Sequence, residues 1–162
     1  MTEYKLLEGK RVLLVDDEAD VLDTLEDLLP MCETMRASNF KDARECLETQ
    51  QFDLTILDIM GVEGYRLLEI ANEKGITAVM LTAHALSPDN VVKSFKEGAA
   101  SYLPKEEMLN IASFLNDVLA DKQTGKNPWT RWYERMGAFF EKRFGEKWKD
   151  NDKDFWEKFP FY

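Results

Sequence analysis

Five residues of this 162-residue chain have side chains able to act together on a charged substrate: Asp16, Asp17, Asp58, Thr82 and Lys105. Each stands at the end of a short apolar run. Asp16 and Asp17 follow Arg-Val-Leu-Leu-Val at 11–15, and Asp58 follows Leu-Thr-Ile-Leu at 54–57. Thr82 closes the run from Ile76 to Leu81, and Lys105 follows Ser-Tyr-Leu-Pro at 101–104. Three carboxylates brought together repel one another and raise each other's pKa. A hard divalent cation removes that repulsion, and Mg2+ favours oxygen ligands, typically one or two carboxylates plus a phosphate. Beside such a cation and Lys105, a carboxylate can serve as a nucleophile toward phosphorus. That transfer asks mainly for alignment and charge stabilisation. Asp58 is the candidate acceptor, because it stands alone on the central run and faces the paired acids. Singly, each residue has an ordinary structural role. An Asp-Asp pair after a strand is commonly a helix cap and first-turn acid, a lone Asp or Thr a turn residue, and a lone Lys solvated surface. The case for chemistry rests on all five falling at the same ends of four runs.

The elements that must position them follow from periodicity. Short continuous apolar runs suit strands buried on both faces of a parallel sheet. They are expected at 11–15, weakly at 33–37, at 54–57, at 76–82 and at 101–103. Between them, Val21, Leu22, Leu25, Leu28 and Leu29 recur at helical spacing until Pro30. Further helices are expected over 40–50, 65–74, 88–97 and 106–121. The last carries Met108, Ile111, Ala112, Leu115, Val118 and Leu119 on one face. Strands alternating with helices predict an α/β fold with a mostly parallel sheet. In such sheets ligands bind beyond the carboxyl ends of the strands, which is where the five polar residues fall.

Val-Leu-Leu-Val-Asp-Asp-Glu at 12–18, Leu-Asp at 57–58, Leu-Thr-Ala at 81–83 and Gly-Ala-Ala-Ser-Tyr-Leu-Pro-Lys at 98–105 carry a resemblance. Over about residues 9–121 the chain resembles the receiver domain of bacterial two-component response regulators. The resemblance implies a flavodoxin-like five-stranded parallel sheet of order 2-1-3-4-5, with helices on both faces. It implies Asp58 as phosphoacceptor, with Asp17 binding Mg2+ directly and Asp16 through water. Asp58 itself and the backbone carbonyl of Met60 would be further metal ligands. Thr82 would hydrogen-bond the phosphoryl group, Lys105 would pair with another of its oxygens, and Tyr102 would be the switch aromatic that turns inward. A histidine kinase or phosphotransfer protein would be the donor. The domain would not be a conventional enzyme, but would catalyse its own phosphotransfer and dephosphorylation. Output to a downstream protein, or homodimerisation, would use the surface of the fourth helix, fifth strand and fifth helix. His84 and Met60, each two residues beyond a site residue, would flank the attacking water and tune phosphoryl lifetime; the alternative for His84 is an exposed loop residue. Two departures stand out. The loop from Ile59 to Gly64 is about two residues short of the family pattern. Pro104 precedes Lys105 and Glu106 follows it, so no cis peptide is expected after the lysine.

Composition changes sharply near residue 121. Residues 1–121 carry 11 Lys/Arg against 24 Asp/Glu, net −13, whereas residues 122–162 carry 10 against 7, net +3. All four Trp and 12 of the 19 aromatics lie in the second part. A receiver at 1–121, a linker at 122–127 and an aromatic helical tail at 128–162 are therefore expected. Asn127-Pro128 is a helix start. Trp129, Trp132, Met136, Phe140 and Phe144 then form an amphipathic stripe, and Asp152 is placed to cap a second short helix ending at Pro160. Such a stripe must fold back on the receiver, pair with a second copy or meet a partner. If the tail alone did the work, the chain would be a constitutive interaction or dimerisation scaffold.

The acidic first part argues against nucleic acid, whose affinity comes from cationic contacts, and the weakly charged tail against a membrane surface. Lack of a long apolar run, a charged N-terminus and two scattered cysteines, Cys32 and Cys46, fit a cytoplasmic protein with reduced thiols.

Overall fold

A computed structural model describes residues 4–159. Five strands, β1 (Arg11–Val15), β2 (Glu33–Ala37), β3 (Leu54–Asp58), β4 (Thr77–Thr82) and β5 (Ser101–Pro104), form one parallel sheet. Its order is β2-β1-β3-β4-β5, as the resemblance implies. β3 is buried along its whole length, and β1 and β4 are buried beyond their first residues. That is why these runs are continuously apolar rather than alternating.

Five helices connect and cover the strands: α1 (Ala19–Leu28), α2 (Phe40–Thr49), α3 (Gly64–Glu73), α4 (Pro88–Lys96) and α5 (Ile111–Gln123). Local chemistry sets their starts. Asn39 caps α2 by accepting from the Asp42 N–H, and Ser87 caps α4 by accepting from Asn90, with Pro88 at its first position. The single helix expected over 106–121 is corrected. Lys105–Asn110 is a 3-10 helix, and the α-helix starts only at Ile111 and runs on to Gln123. Pro104 holds the extended φ −65°, ψ 142° of a strand end, and the chain turns directly into the tighter helix after it.

The register of the sheet aims the site. Val15 pairs with Leu57, so Asp16 and Asp58 emerge level with one another. Asp58 pairs with Leu81 and Leu81 with Leu103, which places Thr82 and Lys105 just beyond, on the same rim.

After Asn127, α6 (Pro128–Phe144) and α7 (Lys153–Lys158) fold back on the sheet. Trp132, Phe140 and Phe155 are almost completely buried and belong to the same apolar core as the strands. Phe95 of α4 joins the two parts through edge contacts with Trp129, Phe155 and Phe159. Arg131 and Arg135 pair with Asp117 of α5, Arg131 also with Asp121, and Arg143 with Glu106. Of the three ways to satisfy the aromatic stripe, the structure takes the first. Asp152 caps α7 through the Phe155 N–H; Pro160, Phe161 and Tyr162 lie outside the described residues. Among the described residues no helix is long and apolar enough to cross a membrane, and Cys32 and Cys46 are free thiols.

Candidate functional site

The abrupt change from apolar strand to acid puts two nearly inaccessible carboxylates side by side. Asp16 is 1% and Asp58 3% exposed, whereas Asp17 faces solvent. Each of the three offers an oxygen within 4.8 Å of the others. Lys105 reaches in from the end of β5, its Nζ lying 2.8 Å from Asp16 Oδ2 and 3.7 Å from Asp58 Oδ1. Lys105 is thus paired closely with Asp16 and more loosely with Asp58.

Electrostatics follow from that crowding. Burial, and then the charge of Asp16, push the Asp58 carboxyl up to about 7, with Asp17 and Glu18 adding and Lys105 opposing. Burial also raises Asp16. Burial works against the charge on Lys105, but its contacts with Asp16, Asp58 and Glu18 prevail and raise its pKa. One cation is set against three clustered acids. That donor set suits a hard divalent cation.

Two glycines let the loop after β3 approach the acid cluster closely. A Cβ on Gly61 would lie 2.5 Å from Asp17 Oδ2, and φ there is +88°. A Cβ on Gly64 would collide with the Asp58 carbonyl. Glu63 between them takes a left-handed φ of 54° to start α3. Glycine spacing in the loop marks these two positions, which side-chain chemistry does not. Glu18 also lines the site. Its backbone N–H donates to Asp16 Oδ1 at 2.9 Å, and its carboxylate lies 3.8 Å from Lys105 and 3.7 Å from His84 Nε2. His84 itself is an exposed residue at the mouth, and Met60 is 51% exposed in the β3–α3 loop.

Thr82 is fully buried, and its Oγ1 accepts a hydrogen bond from the Ala85 N–H at 3.0 Å. Tyr102 is also fully buried and already points inward. Its Oη donates to the Ala85 carbonyl at 2.7 Å and accepts from the Ser87 N–H at 3.3 Å. Thr82 and the tyrosine therefore hold the N–H and the carbonyl of the same residue, Ala85.

Fold and rim together define a CheY-like doubly wound domain with an acidic pocket at the sheet's switch point. Residues 12–113 match the model of the response regulator receiver domain family. The chain belongs to that family. It is 35% identical over 131 residues to the two-component response regulator ARR12 of Arabidopsis thaliana, a match covering 74% of this chain and 22% of the relative. It is 32% identical over 102 residues to the response regulator protein PilR of Pseudomonas aeruginosa, covering 59% and 23%. The chain thus spans only about a quarter or less of these curated relatives. A CheY-like receiver domain protein from Methanospirillum hungatei JF-1 superimposes with a TM-score of 0.65 at 28% identity, covering 73% of this chain and 99% of that one.

Proposed function

We propose that the chain is a phosphorylation-dependent signalling switch that accepts a phosphoryl group on Asp58 from a histidine kinase or phosphotransfer protein. The observation that carries this is the buried Asp58 carboxylate, 3.7 Å from Lys105 and within 4.8 Å of the acids of β1. In the transfer, an Asp58 oxygen attacks phosphorus, the P–O bond forms as the P–N bond of a phosphohistidine breaks, and the imidazole leaves with a proton from solvent. In dephosphorylation, a water oxygen bonds to phosphorus as the P–O bond to Asp58 breaks, inorganic phosphate departs carrying the water's oxygen, a water proton passes to solvent and the carboxylate is restored. Asp16, Asp17, Asp58 and the Met60 carbonyl would hold Mg2+, which would supply charge neutralisation at the phosphoryl oxygens. Lys105 pairs with one of those oxygens, and the Thr82 hydroxyl donates to another. His84 and Met60, each two residues beyond a site residue, would limit water's approach and so set phosphoryl lifetime. Output passes by contact with a downstream protein. The scaffold alternative is weaker, because the tail's apolar stripe is spent on the receiver itself.

Binding of beryllofluoride, a phosphoryl mimic, tests this. Calorimetry is expected to show uptake that requires Mg2+ and disappears in Asp58→Asn. Equal binding by wild type and Asp58→Asn would refute the assignment.

A further inference from the structure

The tail touches the receiver where its aromatic and backbone groups matter most. β5 is the edge strand of the sheet, and an exposed edge carries unpaired carbonyls open to another chain. Two tail indoles donate to backbone carbonyls at this side of the sheet. Trp129 Nε1 donates to the Ala99 carbonyl at 2.8 Å, and Trp132 Nε1 to the Tyr102 carbonyl at 2.6 Å. These tryptophans stand three apart on α6, so one helical face reaches two carbonyls, one just before β5 and one within it. Phe140, one helical face further on, lies with its ring centroid 6.3 Å from that of Tyr102. Tyr102, Trp132 and Phe140 are each no more than 1% exposed.

From these contacts we propose that residues 128–159 are a permanent internal partner for the α4–β5–α5 face, fixing Tyr102 inward and barring a second copy from that surface. The inference rests on Asp58 being the phosphoacceptor and concerns what the phosphoryl group then moves. Tyr102 is fully buried with its ring beside Phe140, so an outward turn of the side chain would run into the tail that covers it. Displacing α6 would strip water-excluded contacts from Trp129, Trp132 and Phe140 at once, and would break the arginine pairs to Asp117 and Asp121. Few hydrogen bonds to a phosphoryl group cannot oppose a helix held that broadly. The movable part is smaller. The Thr82 side chain can shift to bring its hydroxyl to a phosphoryl oxygen, and a displacement of Oγ1 carries it away from the Ala85 N–H. The Ala85 carbonyl stays held by Tyr102 Oη. The change is therefore confined to residues 83–87, next to the Ser87 cap of α4, while Tyr102 acts as a fixed post.

Fluorine NMR on the full chain labelled with 3-fluorotyrosine reads both halves of the question. The Tyr102 signal is assigned by its loss in Tyr102→Phe, and bound beryllofluoride gives its own fluorine signals. With Mg2+ and beryllofluoride present, the Tyr102 signal is expected to keep its shift and its protection from a soluble paramagnetic reagent. In parallel, the Ala85 amide shifts in a proton–nitrogen spectrum, and light scattering gives the monomer mass before and after. In Trp132→Phe, which keeps an aromatic ring but loses the N–H, the Tyr102 signal should become sensitive to beryllofluoride. Bound beryllofluoride together with a Tyr102 signal that moves or becomes solvent-exposed in the wild type would overturn the inference, as would a doubled mass. No bound-beryllofluoride signal at all would overturn the phosphoacceptor assignment, and this inference with it.

Discussion

Burial and the neighbouring charge of Asp16 hold Asp58 near neutrality, with its carboxyl pushed up to about 7. In the unfolded chain an aspartic acid titrates near about 4. Between those values the unfolded state gives up its proton first. The contribution of Asp58 to stability is therefore fully present below the unfolded value and lost as pH rises through the folded one. Urea unfolding of the metal-free protein should show a fall on the order of 2–4 kcal/mol between about pH 5 and pH 8. Asp58→Asn should remove most of that fall, and Mg2+ should offset it by binding the folded state alone. An identical slope in wild type and variant would show that the acid cluster carries no such strain. Gly61 acts at the same site without a side chain. Because a Cβ there meets the Asp17 carboxylate at 2.5 Å, Gly61→Ala should weaken Mg2+ binding by roughly 10- to 100-fold. Calorimetric titration would read this, and unchanged affinity would mean that Asp17 is free to move aside. Asp16, Asp17, Asp58, Thr82 and Lys105 were all legible in the sequence because each interrupts an apolar run with a polar group. Gly61 and Glu18 were not, since their importance lies in a distance of approach that spacing does not encode.

The strands, α1 to α4 and the start of α6 follow closely from apolar periodicity and caps, because each is short and bounded by Pro, Gly or an Asx/Ser cap. The Lys105–Asn110 segment departs from its expected helix for a plain reason. Met108 and Ile111 are three apart, a spacing that fits a 3-10 and an α-helix equally well over one turn. The tail stripe was visible, but its target was not, since an apolar helix face looks the same whatever covers it. Packing now gives it a measurable weight. Trp132 is 1% exposed and donates to the edge strand, so Trp132→Ala should destabilise the whole receiver by about 3–5 kcal/mol. Thermal or urea unfolding should remain a single transition. A tail that melted separately, leaving the receiver's midpoint unchanged, would show that the two are not one cooperative unit. Ser87→Ala, which removes the cap of α4, should cost about 1 kcal/mol and loosen the loop between Thr82 and α4.

One apolar core runs from the sheet through Phe95 into the tail aromatics, and basic tail side chains sit on acids of the receiver. The opposite net charges of the two parts, −13 and +3, thus meet within a single chain. Some of those charges pair across the junction of the two parts. Those ion pairs are partly exposed, and exposed pairs contribute little individually, so docking rests on aromatic burial and should persist at high salt. The function proposed for the molecule depends on one covalent event. Intact-protein mass spectrometry after incubation with acetyl phosphate and Mg2+ tests that event directly. The wild type is expected to gain the mass of one phosphoryl group, to lose it with time, and to gain none when the metal is chelated; Asp58→Asn should gain none under any condition. A wild type that stays unmodified, or an adduct that survives in Asp58→Asn, would contradict the assignment of Asp58 as the phosphoacceptor.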